Sequence, residues 1–407
     1  MEERRRIFAT LIVALIILVG ALLAIRWWIS RPEPEPRESV DLAQYRAAAL
    51  DRRRGIYPFV FDRDGNPLAP DQNFQPFVAT LASRRLGLKD RITTTLDSDV
   101  QHVAVTALGD LKASLVAIDP RTNEVLAVAS TGPDSFERQY EPGSVIKVLT
   151  LLAALSSGLD VPSMFPFECH GALPIDGRSF GDWHPGGHGR LPDLDEALAE
   201  SCNVAFAAIG LKTGRDRLRA FHQRAGFDGQ TNLGLFRVPL GKTVGTIFNN
   251  FETGFYSIGL EHETVTTFHL AMLASMLANR GALTTPRIYR SRRTISGRDI
   301  NPPPKQTTAQ IAPPAAAERV AGAMQAVVTR PKGTGRRAMV DGVPLALKTG
   351  TAGSPEQGYD ALVIGFAPAD HPKIAFALIA ENAGAAEFAA AKAAHDFVEG
   401  LRASGHL

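Results

Sequence analysis

The sequence predicts an α+β fold, an antiparallel sheet flanked by helices, on two observations: strand-like apolar runs gather near both ends of the main body, and helical patterns fill the space between. Leu115 to Ile118 and Glu124 to Ala129 read as an early hairpin across Asp119-Pro120-Arg121-Thr122-Asn123. Leu345 to Thr351, Ala361 to Pro368 and Lys373 to Glu381 give three late strands, and the alanine-rich stretch Ala385 to Leu401 reads as a helix. First and last segments would thus share one sheet. Asn301-Pro302-Pro303-Pro304-Lys305 and Pro313-Pro314 mark an irregular surface excursion, and no internal repeat is seen.

Ahead of this body, Ile7 to Ile25 runs for 19 residues (7 to 25) without a charge. As a helix it is about 28 Å long, close to the hydrocarbon thickness of a bilayer. Arg4, Arg5 and Arg6 precede it and Trp27 and Trp28 follow as interfacial anchors, which puts residues 1–6 in the cytoplasm and the bulk of the chain outside. Arg26 and Arg31 run against that asymmetry. A cleaved signal peptide and a buried core helix are the alternatives; the length and the lack of a small-x-small cleavage site favour an uncleaved anchor over 7–28. Arg31-Pro32-Glu33-Pro34-Glu35-Pro36-Arg37 then reads as a stiff charged spacer, and Asp64-Gly65 between apolar runs as a hairpin turn.

Composition excludes some classes. A net charge of +2 over 407 residues, without a basic cluster, argues against nucleic acid, and no glycine-rich phosphate loop supports nucleotide chemistry.

The chemistry is concentrated in Ser144-Val145-Ile146-Lys147, set in Glu141-Pro142-Gly143 at the head of an apolar stretch. Three residues apart on a helix, a serine and a lysine share a face, and the amine can relieve the hydroxyl of its proton. Alone, the tetrad is a weak signal and is better read as an N-cap serine followed by a solvated lysine. Two further motifs change that: Ser201-Cys202-Asn203 lies 57 residues on (201 − 144), and Lys348-Thr349-Gly350-Thr351 a further 147 (348 − 201).

In that order, the three motifs resemble those of the penicillin-binding protein transpeptidases. The likeness runs from about Arg91 to Leu401 and includes Thr93-Thr94-Thr95-Leu96-Asp97 and the strands around Asp119. Phe180-Gly181-Asp182-Trp183-His184-Pro185-Gly186-Gly187-His188-Gly189 is similar to the elongation-associated, monofunctional class B enzymes in particular. The resemblance implies a penicillin-binding protein/serine β-lactamase-like transpeptidase domain over 91–405. Residues 29–90 would be a linker and a vestigial pedestal, since Arg54-Gly55 and Phe61 to Ala69 look like the opening of the class B pedestal but too few residues follow for the whole of it.

The resemblance also implies roles. Ser144 would be the nucleophile acylated by a D-alanyl-D-alanine stem peptide or a β-lactam, and Lys147 its base. Ser201 would relay a proton to the leaving amine, and Asn203 would bond Lys147 or the substrate amide. Lys348 and Thr349 would hold the substrate carboxylate, and Gly350 would let substrate approach the strand. The N–H groups of Ser144 and Thr351 would form an oxyanion hole. The expected function is a peptidoglycan D,D-transpeptidase on the outer side of the cytoplasmic membrane, working with a glycan polymerase. The alternatives are a D,D-carboxypeptidase or class D-like β-lactamase and, further off, a β-lactam sensor or scaffold without turnover.

Two departures from the family pattern stand out: Leu347 replaces the glycine usual before Lys-Thr-Gly, and Ser257-Ile258-Gly259-Leu260-Glu261 replaces a Gly-Gln-Gly stretch. By alternation Leu347 faces away from Lys348 and would tighten packing behind the strand. No cofactor and no metal are expected; His184 and His188 are four apart, but in a glycine-rich turn instead of on a helix. Whether Cys169 and Cys202 pair stays open.

Overall fold

The computed structural model describes residues 59–68, 72–83, 90–131, 137–294, 296–300 and 302–407. The expected span at 7–28, the proline-rich spacer and Arg54-Gly55 lie outside these. Among the described residues no helix is long and apolar enough to cross a membrane.

Eight strands frame the fold: β1 (Phe59–Phe61), β2 (Asp90–Thr94), β3 (Ala113–Asp119), β4 (Glu124–Ser130), β5 (Tyr289–Thr294), β6 (Ala346–Ser354), β7 (Gly358–Ala367) and β8 (Ile374–Ala380). The helices used below are α1 (Ser98–Leu108), α2 (Lys147–Ser156), α3 (Asn203–Thr213), α4 (Thr267–Ala278), α5 (Pro314–Thr329) and α6 (Ala389–Ala403). Strands β6, β7, β8, β3 and β4 pair in that order, antiparallel throughout, so the late strands join the early hairpin as the sequence predicts. The hairpin closes where Asn123, at φ 53°, donates its N–H to Asp119 O at 2.7 Å.

Every residue of β3, β4 and β8 is buried, which requires cover on both faces. On one side α1 and α6 pack together, α1 against β4 and α6 against β7 and β8; α4 packs on β3 and β8, with α5 beside it. Eleven of the α4 residues, Thr267 to Leu277, are buried, the mark of a helix enclosed all round. Its few polar groups are satisfied locally: Thr266 Oγ1 accepts from His269 N at 3.0 Å, and Ser114 and Thr267 share a 2.6 Å hydroxyl bond.

The N-terminal described segment adds a small second sheet in which β2 pairs parallel with β1 and antiparallel with β5. The turn at Asp64-Gly65 forms as predicted: Asp62 Oδ1 accepts from Asp64 N (2.9 Å) and Asn66 N (2.7 Å), and Phe61 bridges Pro67. Arg63 links this segment to the main body through Asp97 and the buried Glu124, each at 3.2 Å.

Two expectations need correction. Pro313-Pro314 is no irregular excursion: Pro314 opens the 16-residue α5, where its missing N–H is one the first turn would leave unpaired anyway. The closing helix begins at Ala389, not Ala385; residues 386–388 form a turn ahead of it, held by the Ala386 N–H on Thr351 Oγ1 at 3.0 Å.

Candidate active site

Ser144 lies in a 3-10 turn, Gly143–Ile146, that leads into α2 at Lys147. In 3-10 geometry residues three apart eclipse, so the shared face expected of Ser144 and Lys147 is retained. The turn is clamped backbone to backbone. Gly143, at φ +53°, donates to Gly259 O at 2.8 Å, and a Cβ there would sit 2.5 Å from Thr351 O. A Cβ on Gly350 would strike Pro142 O at 2.8 Å and Val145 N at 2.9 Å. The close approach that needs a glycine at 350 is therefore that of the nucleophile turn itself, in addition to any substrate.

Lys348 and Gly350, two apart on β6, share the face that meets this turn. Leu347 points the other way, buried, toward Gly335, as alternation predicts. Thr349 shares Leu347's face and donates its hydroxyl to Thr334 Oγ1 at 2.7 Å.

Ser201 joins the lysines. It sits between a short helix, Leu194–Ala199, and α3, at φ +58°, an uncommon conformation for a non-glycine residue and one that marks functional loops. The bend turns both oxygens of Ser201 toward Lys147, whose Nζ donates to Ser201 O (2.5 Å), Ser201 Oγ (3.2 Å) and Asn203 Oδ1 (2.6 Å). Lys348 Nζ donates to the same Ser201 Oγ at 2.9 Å and to Thr349 O at 2.8 Å. Both lysines are fully buried. Burial, partly offset by the Asp182 carboxylate, brings Lys147 down to about 8. Burial together with the neighbouring Lys147 charge drives Lys348 well below the ordinary lysine range.

A cleft of about 320 Å³ opens over this group, lined among others by Ser144, Ser201, Asn203, Thr349, Gly350 and Thr351. All eight residues singled out in the sequence therefore lie in or directly behind one pocket. The Ser144 hydroxyl has no hydrogen-bond partner among the described residues. The amine that would take its proton donates to Ser201 and Asn203.

Sequence reasoning missed the support behind Ser201. Asp182 Oδ2 accepts from Val204 N (3.1 Å), Cys202 Sγ (3.2 Å) and Cys169 Sγ (3.6 Å), while its Oδ1 accepts from His188 Nε2 (3.1 Å). His188 Nδ1 donates to Glu200 Oε2 (2.9 Å), and Lys332 pairs with the other oxygen of Glu200 (3.2 Å). Burial alone would lower His188, but its two carboxylate partners raise it. Burial would raise Asp182; hydrogen bonds from His188, Val204 N and Cys202 and the Lys147 charge hold it well below the usual carboxylate range. Burial and then the Asp182 charge push the Cys202 thiol up. Both cysteines are free thiols, so they do not pair here. Cys169, Asp182 and Cys202 place one ligand-type atom each within 4.8 Å of one another, but Asp182 Oδ2 already accepts from both thiols and Val204 N, and burial keeps Cys202 protonated in preference to the thiolate a metal needs. His184 joins through its backbone N–H, which donates to Asp182 Oδ1 at 3.3 Å, while its ring packs edge-on against Trp183. The signal in the sequence was the Asp182, His188, Glu200 order, whose meaning depends on the fold.

The profile of the penicillin binding protein transpeptidase domain matches residues 113–399. The chain belongs to this family. It is 29% identical over 345 residues to the peptidoglycan D,D-transpeptidase PbpA of Mycolicibacterium smegmatis, covering 72% of this chain and 67% of that one. It is 28% identical to the peptidoglycan D,D-transpeptidase MrdA of Acinetobacter baumannii, covering 74% of this chain but 53% of that relative. The D,D-transpeptidase domain of a peptidoglycan glycosyltransferase from Eggerthella lenta superposes with a TM-score of 0.70 at 25% identity, covering 81% of this chain and 88% of that one. The α+β penicillin-binding fold expected from the motifs is thus the fold observed.

Proposed function

We propose that this chain is a class B peptidoglycan D,D-transpeptidase that cross-links stem peptides through a Ser144 acyl-enzyme. The observation that carries the reading is the convergence of two buried amines, Lys147 and Lys348, on the single hydroxyl of Ser201 beside Ser144.

Ser144 Oγ attacks the carbonyl carbon between the two D-alanines and passes its proton to neutral Lys147. The developing oxyanion is taken by the N–H groups of Ser144 and Thr351. As the C–N bond breaks, the leaving nitrogen receives a proton from Ser201, which Lys147 resupplies along their 3.2 Å contact. Lys348 holds the terminal carboxylate, assisted by Thr349 and Thr334. An amine of a second stem peptide then attacks the acyl-serine, gives a proton to Lys147, and Ser144 is regenerated. β-Lactams acylate the same serine.

The domain at 91–405 stands outside the cytoplasmic membrane, tethered by the span at 7–28 and separated from it by 29–90, with residues 1–6 inside. Its substrates are nascent strands, so a glycan polymerase is the natural partner. Labelling with fluorescent penicillin tests the chemistry: wild type labels stably and Ser144→Ala does not. Rapid loss of label, or D-alanine release with no cross-linked product from lipid-linked strands, would assign a hydrolase instead. Reporter fusions before and after 7–28 test the topology.

A further inference from the structure

We infer that Glu387 is a specificity residue for the donor peptide, holding the protonated side-chain amine of the residue upstream of the D-alanyl-D-alanine; this rests on the transpeptidase reading above. Glu387 lines the catalytic cleft and is the one carboxylate among its described lining residues. It is half-buried and, among the described residues, makes no hydrogen bond and has no cation within 4 Å. The neighbouring acids are all engaged: Glu381 takes Lys112 and Arg138, and Asp360 accepts from Asn382 N. Arg337 lies over the ring of Phe388 at 5.0 Å. The Glu387 side chain is thus open to a cationic group of a ligand in the cleft.

Its position is fixed. The Ala386 N–H binds Thr351 Oγ1 at 3.0 Å, and Gly384 N binds Tyr359 O at 3.0 Å, which pins the segment against the far end of β6. The direction of the donor follows from the order of groups along that strand. With its carboxylate at Lys348 and its reacting carbonyl beside Ser144 and Thr351, the donor runs antiparallel to β6, and the residues before the scissile bond extend toward Ala352, Gly353 and Tyr359. That is the Glu387 end of the cleft. Cross-linking by transfer to an amine requires an acceptor that carries one, and where the same peptide serves as donor and acceptor the donor presents that cation upstream of its two D-alanines. A carboxylate placed there fits it.

The test uses the full chain and two synthetic peptides ending in lysyl-D-alanyl-D-alanine, one with a free side-chain amine and one acetylated. The readout is the rate of the first, stoichiometric release of D-alanine. Wild type should favour the free amine by about tenfold, the worth of one charge-assisted contact. Glu387→Gln should abolish the preference, and Glu387→Asp should retain part of it. Fluorescent penicillin labelling of each variant shows that its cleft has folded. Equal rates for both peptides in wild type, or an undiminished preference in E387Q, overturn the inference. So does a variant that keeps the donor preference but transfers poorly to an added amine, which would place Glu387 on the acceptor side. Failure of penicillin and both peptides to acylate wild type would instead sink the transpeptidase reading itself.

Discussion

The acylation rate should follow the deprotonation of Lys147. At pH 7, an amine brought down to about 8 is neutral in about 9% of molecules, against about 0.03% for a lysine at its ordinary 10.5, an advantage of about 300-fold for a base that must accept the Ser144 proton. From pH 6, where about 1% is neutral, to pH 8, where about half is, the rate should rise about 50-fold; from pH 8 to pH 10 it should less than double. Stopped-flow acylation by a fluorescent penicillin with a pH-insensitive reporter measures this directly. The position of the midpoint has a structural cause that can be moved: the Asp182 charge holds the Lys147 ammonium against the cost of burial. Asp182→Asn removes that charge and should shift the midpoint to lower pH. A rate flat between pH 6 and 7.5, or a midpoint that rises in the variant, would refute the assignment of Lys147 as the base.

Other perturbations follow the same geometry. Lys348→Ala removes the cation assigned to the substrate carboxylate, and D-alanine release from peptide should fall about a hundredfold or more in kcat/KM. Gly259→Ala places a Cβ 2.2 Å from Gly143 O at a φ of +81°; thermal unfolding should show a loss of about 1–3 kcal/mol, with penicillin labelling slowed in step. His188→Ala leaves Asp182 and Glu200 without the buried imidazole that bonds both, and denaturant unfolding should report a loss of about 3–5 kcal/mol. A midpoint unchanged within error would mean that the His188 bridge adds nothing to stability.

The sheet was legible because its strands are unbroken apolar runs, such as Leu115 to Ile118 and Ala361 to Phe366, bounded by strong turn residues. The catalytic groups were legible because three short motifs in fixed order carry chemistry that few other arrangements need. What stayed hidden depends on contacts distant in sequence. Gly350 looked like a concession to substrate until Pro142 and Val145 were found against it. Asp182 and His188 read as part of a turn, and only the fold places them under Cys202 and Val204. The pair Pro313-Pro314 misled because proline interrupts a helix in its interior but starts one readily at the first position. Glu387 carries no motif at all; its meaning comes from the cleft it borders.

The sharing of Ser201 Oγ by two amines makes their protonation states compete. A proton on Lys147 is a penalty for one on Lys348, so the pocket resists holding two charges at once. An incoming carboxylate at Lys348 favours the charged form there, and that charge in turn discourages one on Lys147. With the roles proposed for the two lysines, arrival of the anionic tail would leave the other nitrogen with its lone pair free, and the substrate itself would prime the group that activates the attack upon it.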